Sequence, residues 1–318
     1  MKHLHSWSVF EDFADFPGSG SLRQRLDAEG IDGFELFTLI EPVPPVYRVP
    51  EVVSVHLPYA IDWRCAWEGR LYEGMPDNVD YYSFGKSPSE QIDIIHRMID
   101  YASVLNPAYG VLHAGNSDSR QILNKVHRSD DLAVIGEFCE LANAAMATFP
   151  GGEPPFTIAF ENLWWEGFKL RSPAEWELME RKLEFDNWSF VLDTGHLMNT
   201  CAGAYDERSA ADEVLDIVSR FPESMKDRIR TVHLQLSTTA SYREKLTDDC
   251  RHDGEPWEEF VRRCYVRANE IDEHRPYSTQ AACEIIDALQ PEFVTHELMG
   301  KHSGDRYGDL WQQRSLFP

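Results

Sequence analysis

The sequence predicts a (β/α)8 (TIM) barrel, and three observations carry that prediction. The chain has 318 residues, long for an ordinary domain but suited to an α/β barrel of about 250 residues with insertions. Eight short apolar runs recur along it, separated by stretches of helical periodicity, which is the alternation of a parallel sheet covered by helices. No Gly-rich phosphate loop follows the first run, and this weighs against a doubly wound open sheet. The whole chain reads as a single barrel domain, since no internal repeat, low-complexity tract or evident linker interrupts it.

The first two candidate strands are LHSWSVF (4–10) and GFELFTL (33–39). VVSVHLP (52–58) is the third, and a long segment from Tyr59 to Pro88 follows it, rich in aromatic residues (Trp63, Trp67, Tyr72, Tyr81, Tyr82, Phe84). That is long for a barrel loop, so it is read either as a folded lid with its own small core or as part of a pocket. SPSEQIDIIHRMIDYASVL (87–105) begins with Ser-Pro and places Ile92, Ile95, Ile99 and Ala102 on one face, which predicts a helix. GVLHAG (110–115) is the fourth strand. A helix over 129–149 follows, opening on a Ser-Asp cap signal. FTIAFEN (156–162) precedes a second Ser-Pro helix, 171–184. SFVLDTG (189–195), RTVHLQL (230–236) and EFVTHEL (292–298) complete the strands, with a helix over 278–290 before the last. Several runs are continuously apolar, as strands covered on both faces are.

The formal charge is −24, which would repel a polyanion on average, so nucleic acid is not an expected partner. The six cysteines are scattered without CxxC spacing, as in a reducing compartment rather than a disulfide frame or zinc knuckle. No run approaches the length of a membrane span, and MKHLHSWSVFEDF lacks the apolar region of a signal peptide. The expectation is a soluble, cytoplasmic protein acting on a small molecule, away from membranes.

Six of the eight strand candidates carry an acidic or imidazole group near their C-terminal ends: His56, His113, Glu161, Asp193 with His196, His233, and Glu297. In a barrel those ends converge on the face that carries active sites. In FVLDTGHLMNT (190–200), Asp193 can be read alone as the cap of a following helix, with His196 a satisfied neighbour. A convergent set of seven groups favours metal ligation, because buried carboxylates and imidazoles are costly unless paired or bound to a cation. The donors are all oxygen and nitrogen, which suits divalent ions such as Zn, Mn, Fe or Mg.

This strand-end pattern resembles the xylose isomerase-like barrel superfamily, which includes sugar isomerases and epimerases and the endonuclease IV type of apurinic-site nuclease. DTGHLMNTCAGAYD (193–206) and VHLPYAID (55–62) resemble two motifs of the nuclease, and LHAGN (112–116), FEN (160–162), VHLQ (232–235) and HEL (296–298) match its remaining ligand strands in order. The resemblance implies one metal held by His56, His113 and Glu161, and a second by Glu161, Asp193, His233 and Glu297, with Glu161 bridging. It implies that His196 serves a third metal or the substrate, and catalytic roles for Glu161, Asp193, His196 and Glu297. Two or three ions per chain, Zn or Mn, follow. The nuclease completes its third site with an Asp-x-His after the seventh strand; the candidate here, Asp249-x-x-His252, departs from that spacing.

One-metal sugar isomerases and epimerases of the superfamily need only the Glu161, Asp193, His233, Glu297 set. The additional His56 and His113 favour hydrolysis, because paired metals clamp the attacking and leaving oxygens of a phosphodiester. VHLPYAIDW followed by YYSFG (81–85) resembles the cobamide-remodelling phosphodiesterases, which cleave the nucleotide loop of corrinoids. The expected activity is therefore metal-dependent hydrolysis of a small phosphodiester such as that of a corrinoid, with Tyr59, Trp63, Trp67, Trp164 and Trp165 contacting substrate. Sugar or sugar-phosphate isomerisation is the alternative. An apurinic-site endonuclease and a non-catalytic metal-binding barrel are further readings.

Overall fold

A computed structural model of the chain describes residues 1–70, 78–128, 130–300 and 304–318. Tyr72 of the long loop and Ser129 of the cap signal lie outside them. Eight parallel strands close into a barrel in sequence order: β1 (Lys2–Ser8), β2 (Gly33–Phe37), β3 (Val52–His56), β4 (Tyr109–His113), β5 (Thr157–Glu161), β6 (Trp188–Asp193), β7 (Ile229–Leu234) and β8 (Phe293–His296). β1 ends at Ser8 rather than running on to residue 10. There the Glu11 carboxylate accepts the Ser8 N–H at 2.8 Å and a turn begins. β6 is buried along its whole length, as its unbroken apolar run requires.

The main helices are α1 (Leu22–Ala28), α2 (Pro88–Ser103), α3 (Asp131–Met146), α4 (Pro173–Lys182), α5 (Thr194–Asn199), α6 (Glu207–Ser219), α7 (Trp257–Ile271), α8 (Ala281–Leu289) and α9 (Arg306–Arg314). The cap signals explain the starts: Ser87 accepts from Glu90 N–H with Pro88 in the first turn, and Asp130 accepts from Leu132 and Ala133 N–H. On α2 the buried face is Ile94, Ile95, Met98, Ile99 and Ala102. Ile92, expected on that face, is only partly buried and packs at the edge of the core. Each fully buried Ile or Met contributes about 1.5–3 kcal/mol, so this face alone outweighs the helix's caps.

Inside the barrel, Leu4, Tyr109, Val111, Ala159, Val191 and Phe293 form a packed apolar plug. It closes the bottom of the lumen and leaves the C-terminal strand ends open above it. The long loop after β3 folds back through two short helices, Trp63–Trp67 and Val79–Ser83. Its anchor is Asp62, which is fully buried and accepts hydrogen bonds from Cys65 N–H, Arg70, Asn116 and Ser119. Those bonds tie the loop to the segment that follows β4. Among the described residues no helix is long and apolar enough to cross a membrane.

Candidate metal centre

His56, His113, Glu161 and Asp193 are each the last residue of a strand, His233 is the last but one of β7, and Glu297 directly follows β8. The parallel register places His113 opposite Glu161 and Asp193 opposite His233. Glu161, almost wholly buried, is the hub. Its Oε2 lies 3.3 Å from His56 Nε2 and 3.1 Å from His113 Nε2; its Oε1 lies 3.3 Å from His196 Nδ1 and 3.2 Å from His233 Nδ1. Two donor groups result, His56–His113–Glu161 and Glu161–Asp193–His233–Glu297, with the candidate ligand atoms of each within 4.8 Å of one another.

Asp193 caps the helix that follows it, as one reading of its motif expects, and keeps a second oxygen for the other. Its Oδ1 caps α5, accepting His196 N–H at 2.6 Å and the Gln235 amide at 3.1 Å. Its Oδ2 is buried with no hydrogen-bond partner among the described residues, so one oxygen serves the fold and the other is free for a cation. Asn162 locks the strand ends together, accepting Asp193 N–H at 2.8 Å and donating to Asp193 O at 3.0 Å. Gly195 in the same motif has a packing reason: a Cβ there would stand 2.0 Å from Gln235 Oε1. The glycine lets Gln235 reach both Asp193 and, at 3.0 Å, Asp272 Oδ1.

A third set assembles around His196, and here one expectation is corrected. His252 does not join the centre: its side chain is 62% exposed and pairs with Asp249, which is held in turn by Arg263. The His196 partner is instead Asp272, with Nε2 to Oδ2 at 3.2 Å, and His274 Nδ1 lies 3.4 Å from the same oxygen. Asp272-Glu273-His274 has the Asp-x-His spacing that 249–252 lacks. It follows α7, well beyond the end of β7, because the excursion between them carries α7 to the barrel mouth, where Phe260 and Tyr265 line the cleft above the cluster.

Burial and mutual charge shape the protonation of the cluster. Burial raises Glu161 and Glu297, but the neighbouring histidines outweigh it and hold both carboxyls well below their usual range. Burial, with Glu297 and Glu161 nearby, pushes Asp193 up to about 8 despite His196. Burial opposes charging His196 and His233, yet the surrounding carboxylates raise both well above an ordinary imidazole, and raise His274 to about 9. Burial lowers His113. The pocket therefore collects protons where its negative charge needs compensation. The gathered carboxylates, an unpartnered Asp193 oxygen and a nitrogen–oxygen donor set fit divalent cations.

Glu35, Gln235, Asp272 and His274 lie outside the sequence expectations. Glu35 Oε1 lies 2.8 Å from His233 Nε2, and its Oε2 accepts from the Tyr109 hydroxyl at 2.6 Å; this buried carboxylate places a negative charge against the His233 ring and helps raise its pKa. An acid in the middle of the apolar run GFELF was its available signal. Above the cluster, an aromatic cleft is lined by Tyr59, Tyr82, Trp164, Trp165, Phe260 and Tyr265 among others. Tyr59 stacks on His113 with ring centroids 4.3 Å apart. Two expected substrate contacts are corrected. Trp63 is buried in the core against Phe138, donating to Gly115 O, and Trp67 packs beside that core. Both turn inward because the Asp62 anchor folds the loop back onto the barrel.

The structure is similar to endonuclease IV from Thermus thermophilus (13% identity, 99% of this chain and 98% of that one, TM-score 0.53). It is also similar to a D-tagatose 3-epimerase-like protein (13%, 99% and 97%, 0.52) and to 3-keto-D-glucoside 4-epimerase from E. coli (13%, 99% and 98%, 0.52). At such identities the likeness is one of fold. No curated protein sequence matches the chain significantly. The profile of the xylose isomerase-like TIM barrels matches residues 71–264, more than half of the sequence. With that match, and a closed eight-stranded barrel beneath the strand-end cluster, the chain belongs to the xylose isomerase-like TIM-barrel family.

Proposed function

We propose that this chain is a divalent-metal-dependent hydrolase of a small phosphodiester. The observation that carries the reading is the His56–His113–Glu161 donor group, built beside a complete four-residue group and sharing Glu161 with it. A one-metal isomerase would be served by Glu161, Asp193, His233 and Glu297 alone. In this reading Glu161 would serve both donor groups, and His196, Asp272 and His274 would hold a further ion; Zn or Mn would suit the donors. Such ions supply Lewis acidity to phosphoryl oxygens and activate water near neutral pH. The chain's own residues do the rest: Glu35 sets its charge against His233, Gln235 holds Asp193 and Asp272 in place, and Tyr59 covers His113.

The aromatic cleft suits a phosphodiester attached to a large flat or apolar group, of which a corrinoid with its nucleotide loop is one. A metal-dependent sugar epimerase is the second reading, favoured by the self-sufficiency of the four-residue group. The deciding experiment measures metal content of the purified protein together with its turnover of a corrinoid nucleotide and of a panel of ketoses. Two or more ions with phosphodiester cleavage support the hydrolase; one ion with ketose epimerisation refutes it.

Two further outcomes follow. His274→Ala should lose about one ion per chain, whereas His252→Ala should keep the full complement, measured by elemental analysis; a loss in the latter variant instead would contradict the assignment of the third set. Duplex DNA carrying an apurinic site should bind weakly and with strong salt sensitivity, since the charge of −24 opposes a polyanion. Nanomolar affinity at physiological salt in a binding titration would reverse that expectation.

A further inference from the structure

A second cleft adjoins the aromatic one. Ile122, Trp164 and Trp165 line both. The second is walled by the segments after β4 and β5, the C-terminal end of α5, the 240–246 segment and α7. Its charge runs against that of the protein. The chain has 54 acidic and 30 basic residues, yet among the described residues this cleft is lined by Lys125, Lys169, Arg171, Arg243 and Arg267 against a single carboxylate, Glu244. Lys169 is paired with Asp131. The other four direct their side-chain bonds to backbone carbonyls and a hydroxyl: Lys125 to Glu244 O, Arg171 to Thr200 O, Arg243 to Met198 O, Cys201 O and Thr239 Oγ1, Arg267 to Leu123 O and Thr247 O. Glu244 itself is engaged by the Tyr205 hydroxyl.

A separate observation points to a ligand. Asn199, 5% exposed, lines the same cleft. Its Oδ1 accepts from Thr239 Oγ1 at 3.0 Å, while its Nδ2 is buried without an acceptor among the described residues. A buried donor left unmet is costly, and the basic side chains that line the cleft with Asn199 carry no acceptor to meet it. What such a wall lacks is an oxyanion, for which guanidinium forks and amide donors are the fitting partners.

We propose that this second cleft binds a phosphoryl group carried by the same substrate whose phosphodiester reaches the metal centre, with Trp164 and Trp165 between the two. The inference rests on the hydrolase reading for its substrate, while the anion site itself does not depend on it. It explains why a strongly acidic protein keeps cations together at one edge of its active-site mouth: they offset the general repulsion where a substrate anion must settle.

The test uses the full-length, metal-containing protein in two arms. In the first, inorganic phosphate is titrated at low ionic strength by calorimetry against wild type, Lys125→Gln/Arg171→Gln and His113→Ala, with metal content and thermal midpoint recorded for each. Saturable binding should weaken about tenfold or more in the double variant, corresponding to about 1.4 kcal/mol, at unchanged metal content, and persist in His113→Ala. Binding that is indifferent to the double substitution, or lost in His113→Ala alone, would place phosphate at the metals and overturn the proposal. In the second arm, the p-nitrophenyl ester of thymidine 5′-phosphate is compared with its 3′-phosphorylated analogue. The analogue should have the lower KM, with that advantage lost in the double variant while kcat is retained. A cleft that takes inorganic phosphate but gives the analogue no advantage holds free phosphate rather than a substrate group, which also overturns the proposal. If neither ester is hydrolysed, the hydrolase reading is what has failed with these probes, and the phosphate titration still decides whether the cleft is an anion site.

Discussion

Glu161→Gln should abolish turnover while leaving the barrel folded. The side chain is isosteric and its backbone register with His113 is unaffected, so far-ultraviolet circular dichroism should match wild type. The loss comes from charge. Glu161 is approached by His56, His113, His196 and His233 at 3.1 to 3.3 Å, two on each oxygen. An amide offers one neutral oxygen, and its NH2 would confront imidazole nitrogens or a cation. If Glu161 is a shared anionic ligand, removing its charge forfeits several kcal/mol of stabilisation, which corresponds to about a thousandfold or more in rate. Undiminished turnover at saturating metal would remove Glu161 from the centre and with it the shared-ligand reading.

His113→Ala separates the two chemistries. If His56, His113 and Glu161 hold an ion of their own, truncating His113 should cost one ion per chain and about a hundredfold or more in phosphodiester cleavage. If the protein is a one-metal epimerase, the four-residue group is intact in this variant. Metal content should then stay at one ion, ketose epimerisation should survive, and the change should fall mainly on substrate binding, since Tyr59 loses the ring on which it stacks. Elemental analysis and turnover measured on the same preparation decide between them. Full occupancy with retained epimerisation ends the hydrolase proposal.

Much of this was legible in the residues. The eight strands stand where short apolar runs lie between helical periods, and the ligand candidates stand at their C-terminal ends, because a two-residue side-chain period and a closed parallel barrel leave those ends nowhere else to point. His56, His113, Glu161, Asp193, His196, His233 and Glu297 were recognisable on that ground and are brought together. Asp272 and His274 were not, because they sit on an irregular segment after α7, and linear spacing carries no information about where a long excursion returns. Asp249 and His252 lie closer to β7 in sequence, but Arg263 holds Asp249, and His252 with it, away from the cluster.

The aromatic residues show the same division. Composition marks the segment after β3 as rich in large rings, yet Trp63 and Tyr59, near neighbours in sequence, end in opposite places: one in the core against Phe138, the other over His113. The choice is made by Asp62, whose buried carboxylate gathers hydrogen bonds from a segment more than fifty residues away. The sequence by itself determined the barrel and the identity of most of the donors, since periodicity and strand-end position are local properties. The partners of each candidate donor, the cap made by one Asp193 oxygen and the burial of the other, the Glu35 carboxylate against His233 and the gathering of scattered cations beside Trp165 were decided only by the tertiary structure, because each depends on distances between segments that the chain order leaves open.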